Sequence, residues 1–185
     1  MIGEVWRKLS WGLVFGGFGL FGACSLLADN AVEFPESPED FHVFLLMGQS
    51  NMEGGSSIDQ PMDREAHPRI LKMNRWNSWE LARDPITNNK KNAVGPGLAF
   101  ARKIVEEQED VVVGLIPLAV GGTTIAEWSK GGPYYEATLH AAAVARQYGT
   151  LKGVLWHQGE HDAIYRWTAD LYGQRIEALQ DDLRK

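Results

Sequence analysis

Three short polar segments carry the side chains that could do chemistry, and each of them directly follows an apolar run. They are residues 48–52 (Gly-Gln-Ser-Asn-Met), 121–124 (Gly-Gly-Thr-Thr) and 157–160 (His-Gln-Gly-Glu). Ser50 lies in the first segment, two residues after Gly48, where a tight turn can expose its hydroxyl. A serine in that position can attack an ester carbonyl if backbone donors lie close enough to stabilise the oxyanion. The sequence therefore makes Ser50 a candidate nucleophile for acyl transfer.

The other two segments hold groups that suit the same reaction. Gly121 and Gly122 allow the backbone to approach closely and offer a second N–H donor. No lysine follows them as in a phosphate-binding P-loop, which weakens a phosphate interpretation. Gln158 brings a side-chain amide as a third donor, and Glu160 could orient a catalytic histidine as the acid of a triad does.

Each of these residues also has an ordinary structural interpretation. A lone serine after a strand is more often a helix N-cap, and a glycine pair is often just a turn. Gln158 could be a core glutamine, and Glu160 a surface acid favoured by a helix dipole. The coincidence of three polar segments after three apolar runs favours catalysis more than any one of them does.

The surrounding pattern predicts the elements that must position these segments. Buried strands are expected at residues 41–47, 111–120 and 151–156, with a short strand at 70–73 inside a long loop region from 53 to 92. Helical patterns begin at Gly97, span 134–148 with Gly149 at the C-cap, and restart at a capping Thr168. Strands alternating with helices predict an α/β fold with a parallel sheet covered on both faces. Ligands bind such sheets beyond the carboxyl ends of the strands, where all three polar segments fall.

Four sequence blocks together resemble one known family. They are residues 48–52, residues 94–97 (Val-Gly-Pro-Gly) followed by Phe100 and Ala101, residues 121–123 with Trp128 after them, and residues 156–160 (Trp-His-Gln-Gly-Glu). Their order and spacing resemble the sialate O-acetylesterase-like branch of the SGNH hydrolases, which includes the acetylxylan esterases of carbohydrate esterase family 6. The similarity runs from about Phe41 to the end of the chain.

The resemblance implies a flavodoxin-like three-layer α/β/α sandwich and hydrolysis of O-acetyl esters on carbohydrate without a cofactor or metal. It implies Ser50 as the nucleophile and an oxyanion hole made by the N–H groups of Ser50 and Gly122 (or Gly121) with Gln158. Glu160 matches a supporting acid of this branch. The flanking side chains expected to contact substrate are Gln49, Asn51, His157 and Trp128. Trp76, Trp79 and Trp128 are candidate sugar platforms, because an aromatic face suits a pyranose.

Two departures from the family pattern keep other interpretations open. His161 stands where the family has a small residue, and the Asp-x-x-His segment that supplies the family's catalytic histidine is absent. The expectation is that the last part of the domain is missing, so a non-catalytic sugar-binding protein is one alternative. A second is a zinc hydrolase, because residues 157–161 also spell H-x-x-E-H. That motif needs both histidines on one helix, whereas a strand is predicted up to Trp156.

The N-terminal residues predict export. Arg7 and Lys8 precede an uncharged run from Trp11 to Ala28, which is typical of a secretory signal peptide over residues 1–28, with Ala28 or Ala31 at the cleavage point. Cys24 makes a lipoprotein signal, and with it a membrane tether, an alternative. We therefore expect a periplasmic, extracellular or lipid-anchored protein.

Residues 29–40 are expected to form an exposed leader and residues 41–185 the esterase-like domain. The net charge of −6 argues against a nucleic-acid partner, which favours a basic surface. The expected partner is an acetylated carbohydrate, either acetylxylan or a sialate.

Overall fold

A computed structural model describes residues 32–185 as a five-stranded sheet with helices on both faces. The signal-peptide prediction falls on residues outside this described range. The strands are β1 (Phe41–Gly48), β2 (Ile70–Met73), β3 (Trp79–Leu81), β4 (Val112–Pro117) and β5 (Thr150–His157). The helices are α1 (Ser50–Glu53), α2 (Pro61–Arg64), α3 (Pro96–Glu107), α4 (Ile125–Trp128), α5 (Tyr135–Tyr148) and α6 (Arg166–Leu183).

The strand order is β3-β2-β4-β1-β5, and β1, β2, β4 and β5 are parallel. The expected α/β architecture is confirmed, but the sheet is mixed, because β3 runs antiparallel to β2 at one edge. Sequence reasoning missed β3, which has only three residues and no alternation long enough to reveal a strand. The predicted strand at 70–73 is confirmed as β2.

The side chains of β1, which is buried on both faces, show that helices cover the sheet on each side. Val43, Leu45 and Met47 pack into a core that includes residues of α5 and α6. Leu46 belongs to the opposite core, which includes Leu98 of α3. A strand that alternates between two apolar cores reads as a continuous apolar run, as residues 41–47 do. The sheet is therefore the middle layer of three.

Two helix ends differ in how well the sequence predicted them. Gly149 is the C-cap of α5 as expected, and a Cβ there would lie 2.3 Å from the carbonyl oxygen of Phe41. Thr168 does not cap α6, which begins at Arg166. Its hydroxyl instead donates to the carbonyl oxygens of Asp162 (2.6 Å) and Tyr165 (2.7 Å). Serine and threonine often bond the preceding turn in this way, so the residue type indicated a helix start without fixing its position.

The segment expected to be an exposed leader is partly packed where it is described. The ring of Phe34 is half exposed, and it contacts Phe41 edge-to-face and stacks on Tyr148. Val32 also packs against the core that contains Phe41. Across residues 32–185, none of the helices combines the length and apolarity that a membrane crossing requires.

Candidate active site

The carboxyl ends of β1, β4 and β5 are tied together by backbone hydrogen bonds. The N–H of Gln49 donates to the carbonyl oxygen of His157 at 2.9 Å, and the N–H of Val120 donates to that of Gly48 at 3.0 Å. Gly48 has φ +131°, and a Cβ on it would lie 2.1 Å from the His157 carbonyl oxygen. Only glycine allows that approach. The three polar segments predicted to meet at this edge of the sheet therefore do meet.

Ser50 and Gly121 lie side by side in this arrangement. Ser50 is the first residue of α1 and is half-buried. A Cβ added to Gly121 would lie 3.8 Å from the Cβ of Ser50. Gly121 and Gly122 are exposed, and Gly122 adopts φ +76° with no atom within 4 Å of a Cβ built on it. The nucleophile candidate thus faces an open, glycine-bearing turn that leaves room for a ligand.

Gln158 is buried, and its amide nitrogen already donates hydrogen bonds within the protein. It donates to the carbonyl oxygen of Thr123 at 2.8 Å, to Oδ2 of Asp162 at 2.7 Å and to Oε1 of Gln49 at 3.1 Å. Two amide protons shared among three acceptors leave no spare donor for an oxyanion. We call Gln49, Thr123, Gln158 and Asp162 the polar centre. It joins all three polar segments and supports the turn that carries Ser50.

Asp162 completes the polar centre and was missed by sequence reasoning. It is 1% exposed, and its Oδ2 also accepts from the N–H of Ile125, the first residue of α4. Its Oδ1 and Oε1 of Gln158 are buried without a partner among the described residues. A signal was available, since Asp162 follows Glu160 by two residues and an acid so near a catalytic segment merits attention. It therefore ties the start of α4, which directly follows residues 121–124, to Gln158, which directly follows β5.

Tyr172 of α6 is hydrogen-bonded to the C-terminal end of β5 and to the residue that follows it. Its hydroxyl donates to the carbonyl oxygen of Gln158 at 2.6 Å and accepts from Nε1 of Trp156 at 3.0 Å. Burial raises the pKa of the Tyr172 hydroxyl above its ordinary value. The hydroxyl therefore stays protonated as a hydrogen-bond donor at neutral pH.

Glu160, Asn51 and His157 form a more exposed group on the rim of the site. The side-chain amide of Asn51 donates to Oε1 of Glu160, and Nε2 of His157 lies 3.8 Å from the same oxygen. The His157 and Glu160 side chains are about half and two-fifths exposed. Glu160 thus lies beside a histidine, as an orienting acid would, and it fixes the residue that follows Ser50.

An ion pair with a buried carboxylate lies against the turn that carries Ser50, and the sequence did not reveal it. Glu53 is 5% exposed, and its Oε2 lies 3.3 Å from Nζ of Lys90. Its Oε1 accepts from the side-chain amide of Asn89 at 2.8 Å. Lys90 also donates to the carbonyl oxygens of Ser50 (3.2 Å) and Gly54 (2.8 Å). Lys90 thereby bonds the carbonyl oxygens of the first residue and of the C-cap of α1, and so holds the turn that carries Ser50.

The tryptophans expected to bind sugar differ in accessibility. Trp128 is 1% exposed and its Nε1 donates to Oγ1 of Thr123, so its ring offers no face to a ligand. Trp79 is partly buried, and its ring packs against Phe41. Trp76 is 74% exposed. Of these three rings, Trp76 alone is freely accessible.

The H-x-x-E-H interpretation lacks its helix. His157 is the last residue of β5, and His161 precedes a short 3-10 helix that begins at Asp162. The two imidazoles therefore do not lie one helical turn apart, as that zinc motif requires. Among residues 32–185, no three His, Cys, Asp or Glu side chains cluster so as to hold a metal ion.

Comparison with known proteins places the chain among carbohydrate esterases. A probable carbohydrate esterase of Arabidopsis thaliana is 35% identical over 162 residues, which are 77% of this chain and 62% of that protein. The chain thus spans about three-fifths of the length of this relative. The crystal structure of an Arabidopsis thaliana protein matches with a TM-score of 0.73 and 32% identity, over 80% of this chain and 69% of that one.

A more distant structure shares the fold alone. The crystal structure of NanS matches with a TM-score of 0.62 and 21% identity, over 80% of this chain and 63% of that one. The model of the family described as carbohydrate esterase, sialic acid-specific acetylesterase, matches residues 40–185. This chain therefore belongs to the sialic acid-specific acetylesterase family of carbohydrate esterases, in the SGNH-hydrolase branch that its four sequence blocks indicated.

Proposed function

We propose that the protein is a serine esterase that removes acetyl groups from carbohydrate through an acyl-enzyme on Ser50. The observation that carries the proposal is the meeting of Ser50 and Gly121 at the carboxyl edge of the sheet, with 3.8 Å between the Ser50 Cβ and a Cβ built on Gly121. Family membership supports an acetylesterase in general. The role of Ser50 goes beyond family membership and belongs to the proposal, and the acetylated carbohydrate is either acetylxylan or a sialate.

The proposed reaction has two steps. The Ser50 hydroxyl attacks the acetyl carbonyl, and the N–H groups of Ser50 and of Gly122 or Gly121 stabilise the oxyanion. The oxyanion collapses, the C–O bond to the sugar breaks, and the sugar leaves as an alcohol after taking a proton. Water then attacks the acetyl-enzyme and releases acetate. In this scheme Gln158 contributes by holding the turn in place, since its amide protons are used within the polar centre.

Deprotonation of Ser50 requires a general base. The family resemblance assigns that role to a histidine of an Asp-x-x-His segment, which residues 1–185 do not contain. We propose that such a segment completes the site in the full-length protein. The contacts of Glu160 with Asn51 and His157 support a role for it as the acid that orients this imidazole.

The test is acetate release by the full-length protein from acetylated xylan and from O-acetylated sialic acid. Ser50→Ala should lower the rate by at least about 10³-fold, since removing a nucleophile from a catalytic unit costs that much or more. The circular dichroism spectrum should be unchanged, because Ser50 is only half-buried and the substitution removes a single oxygen atom. Retained acetate release in Ser50→Ala refutes the assignment. Sugar binding without acetate release in the unmodified protein would favour the non-catalytic alternative.

We also propose that the protein is exported through the segment that begins with Arg7 and Lys8. Intact-mass measurement of the protein from the cell envelope distinguishes the possibilities. Cleavage after Ala28 or Ala31 indicates a secreted form, and a lipid-modified Cys24 indicates a tether. An uncleaved chain in the cytoplasm contradicts export.

A further inference from the structure

Glu53 is a buried carboxylate that lies against the glycine turn next to Ser50. It is 5% exposed, and a Cβ built on Gly121 would lie 3.1 Å from its Oε2 and 3.8 Å from the Cβ of Ser50. The carboxylate oxygen and the Ser50 Cβ are therefore both within 4 Å of the same point. In the proposed reaction the oxyanion forms at this turn. Glu53 thus brings a second negative charge close to the one that the reaction creates.

A carboxylate in that position opposes the reaction unless its charge is offset. Two negative charges repel each other, and the repulsion is stronger in a partly buried site than in water because the effective dielectric constant is lower. An oxyanion is stabilised by donors and dipoles that point toward it, so an uncompensated anion nearby raises the energy of the transition state. A cation beside Glu53 removes this effect.

Lys90 is that cation. Its Nζ lies 3.3 Å from Oε2 of Glu53, which is the carboxylate oxygen nearest to the Gly121 Cβ position. Within residues 32–185, no other basic side chain forms an ion pair with Glu53. The Lys90 side chain is 33% exposed, so the lysine keeps contact with water while the carboxylate is almost sealed. Lys90 therefore offsets the charge of Glu53 at the oxygen nearest to Gly121.

The same segment of the chain also bonds the backbone on both sides of the candidate site. Lys90 donates to the carbonyl oxygen of Ser50 at 3.2 Å. The neighbouring Asn89 amide donates to Oε1 of the same carboxylate at 2.8 Å and to the carbonyl oxygen of Ala119 at 3.1 Å. Ala119 lies two residues before Gly121. These bonds tie Ser50 to the chain that leads into the glycine turn, and N–H groups of both are proposed to bind the oxyanion.

We propose that Glu53 and Lys90 are positioning residues for ester hydrolysis at Ser50. Glu53 anchors residues 89 and 90 against the glycine turn. Lys90 holds the Ser50 carbonyl and cancels the Glu53 charge beside the oxyanion. Both roles rest on the proposed function and deepen it, because they control the charge at the oxyanion site from residues that lie outside the four family blocks.

The experiment measures kcat and KM for acetate release by the full-length protein. The variants are Lys90→Met, Glu53→Gln and the double substitution. Each kcat is expressed per serine that a fluorophosphonate labels at completion, so misfolded protein does not count. Lys90→Met should lower kcat roughly ten- to a hundredfold, because it leaves the carboxylate uncompensated near the oxyanion. KM should change by less than about threefold, since the effect arises only in the transition state.

The double substitution separates positioning from a merely structural role. It removes the anion that Lys90→Met leaves uncompensated, so its kcat should be roughly tenfold higher than that of Lys90→Met. Glu53→Gln alone should lower kcat less than Lys90→Met does, since the amide oxygen still accepts from Asn89 and no anion remains. If the pair served only to hold the fold, kcat per labelled serine would not recover. Where Lys90→Met does not fold, the double variant decides: kcat within about tenfold of the unmodified protein supports the proposal, and a lower value overturns it.

Lys72→Met is the matched control. Lys72 pairs with Glu80 at 3.5 Å between β2 and β3, and in the described part of the chain this pair bonds neither α1 nor residues 121–124. Its removal should leave kcat unchanged. Equal losses of kcat in Lys90→Met and the double variant, or an equal loss in Lys72→Met, overturn the proposal and leave the role of Ser50 intact. Acetate release that survives Ser50→Ala in the same assay refutes the proposed function, and the roles of Glu53 and Lys90 fail with it.

Discussion

Three carboxyls are buried among the described residues, and each is stabilised in a different way. Glu53 has a cation, Lys90, at 3.3 Å. Asp162 has two N–H donors, from Ile125 and Gln158, on one oxygen. Asp84 has the N–H of Ile86 at 3.3 Å, and burial raises its pKa to about 6. A carboxyl that lacks a strong partner avoids the cost of a buried charge by holding a proton.

Asp84 should therefore make stability depend on pH. The pKa of Asp84 is raised from its ordinary value of 3.8 to about 6 in the folded protein. Between these two pH values the folded state therefore binds more protons than the unfolded state. The free energy of unfolding should then fall as pH rises from about 4 to about 7, by roughly 2–3 kcal/mol. Urea denaturation across this range measures the slope.

Asp84→Asn should remove that part of the slope, because the amide does not titrate. Asp59→Asn, at an exposed position of the same loop region, should keep it. A slope unchanged by Asp84→Asn contradicts the assignment of the proton to this carboxyl.

At the scale of elements, glycine matters where a helix or strand ends against another strand. Gly149 joins α5 to β5 with its Cβ position 2.3 Å from the Phe41 carbonyl oxygen. Gly173 lies inside α6 and has no atom within 4 Å of its Cβ position. The same residue type thus permits a close backbone contact in one place and weakens a helix in the other.

Alanine at these two positions should have opposite effects on stability. Gly149→Ala should lower the free energy of unfolding by about 1–3 kcal/mol or more, since the backbone must shift to admit the methyl group. Gly173→Ala should raise it by about 0.5–1 kcal/mol, the helix-propensity difference at an exposed site. Thermal and urea denaturation report both values. A Gly149→Ala protein that is as stable as the unmodified protein would contradict the close backbone contact between Gly149 and Phe41.

At the scale of the whole molecule, the two edges of the sheet differ. At one edge the short β3 flanks β2, whereas in the described part of the chain β5 pairs only with β1. Val154 of β5 is 40% exposed, and Trp167 near the start of α6 is 65% exposed. The neighbouring exposed apolar side chains are Ile164, Tyr165 and Leu171. An open strand edge beside apolar side chains is a surface on which chains associate.

The 185-residue chain should therefore associate as its concentration rises. Val154→Lys should weaken this association, because a charge on an edge strand opposes pairing with a second chain. Leu139→Lys is the matched control, since Leu139 is also 40% exposed but lies on α5. Sedimentation velocity over a concentration series compares the three proteins. If both lysine variants reduce association equally, β5 is not the edge responsible.

The features predicted from the sequence are those with a strong local signal. The apolar run at residues 41–47 and the polar segment after it gave β1 and the turn at Ser50 correctly, because a doubly buried strand has a recognisable composition. The stripe of Leu98, Ala101 and Val105 likewise gave the buried face of α3.

The features that were missed depend on partners far along the chain. Lys90 pairs with Glu53 across 37 positions, and nothing near either residue indicates the other. Trp128 is buried because Thr123 bonds its indole nitrogen and Tyr134 stacks on its ring, which a sequence pattern does not reveal. Charge pairs and ring packing of this kind are consequences of the fold, whereas the apolar runs are causes of it.

The position of β1 between β4 and β5 also affects when the candidate site forms during folding. Gln49 and Gln158, which meet in the polar centre, are 109 positions apart in the chain. Contacts of such high sequence separation require a large loop to close first, so they form slowly during folding. The turn that carries Ser50 reaches its final geometry only once β5 has docked beside β1. A nascent or nicked chain that has not made that pairing therefore carries Ser50 without the neighbouring segments that surround it in the folded protein.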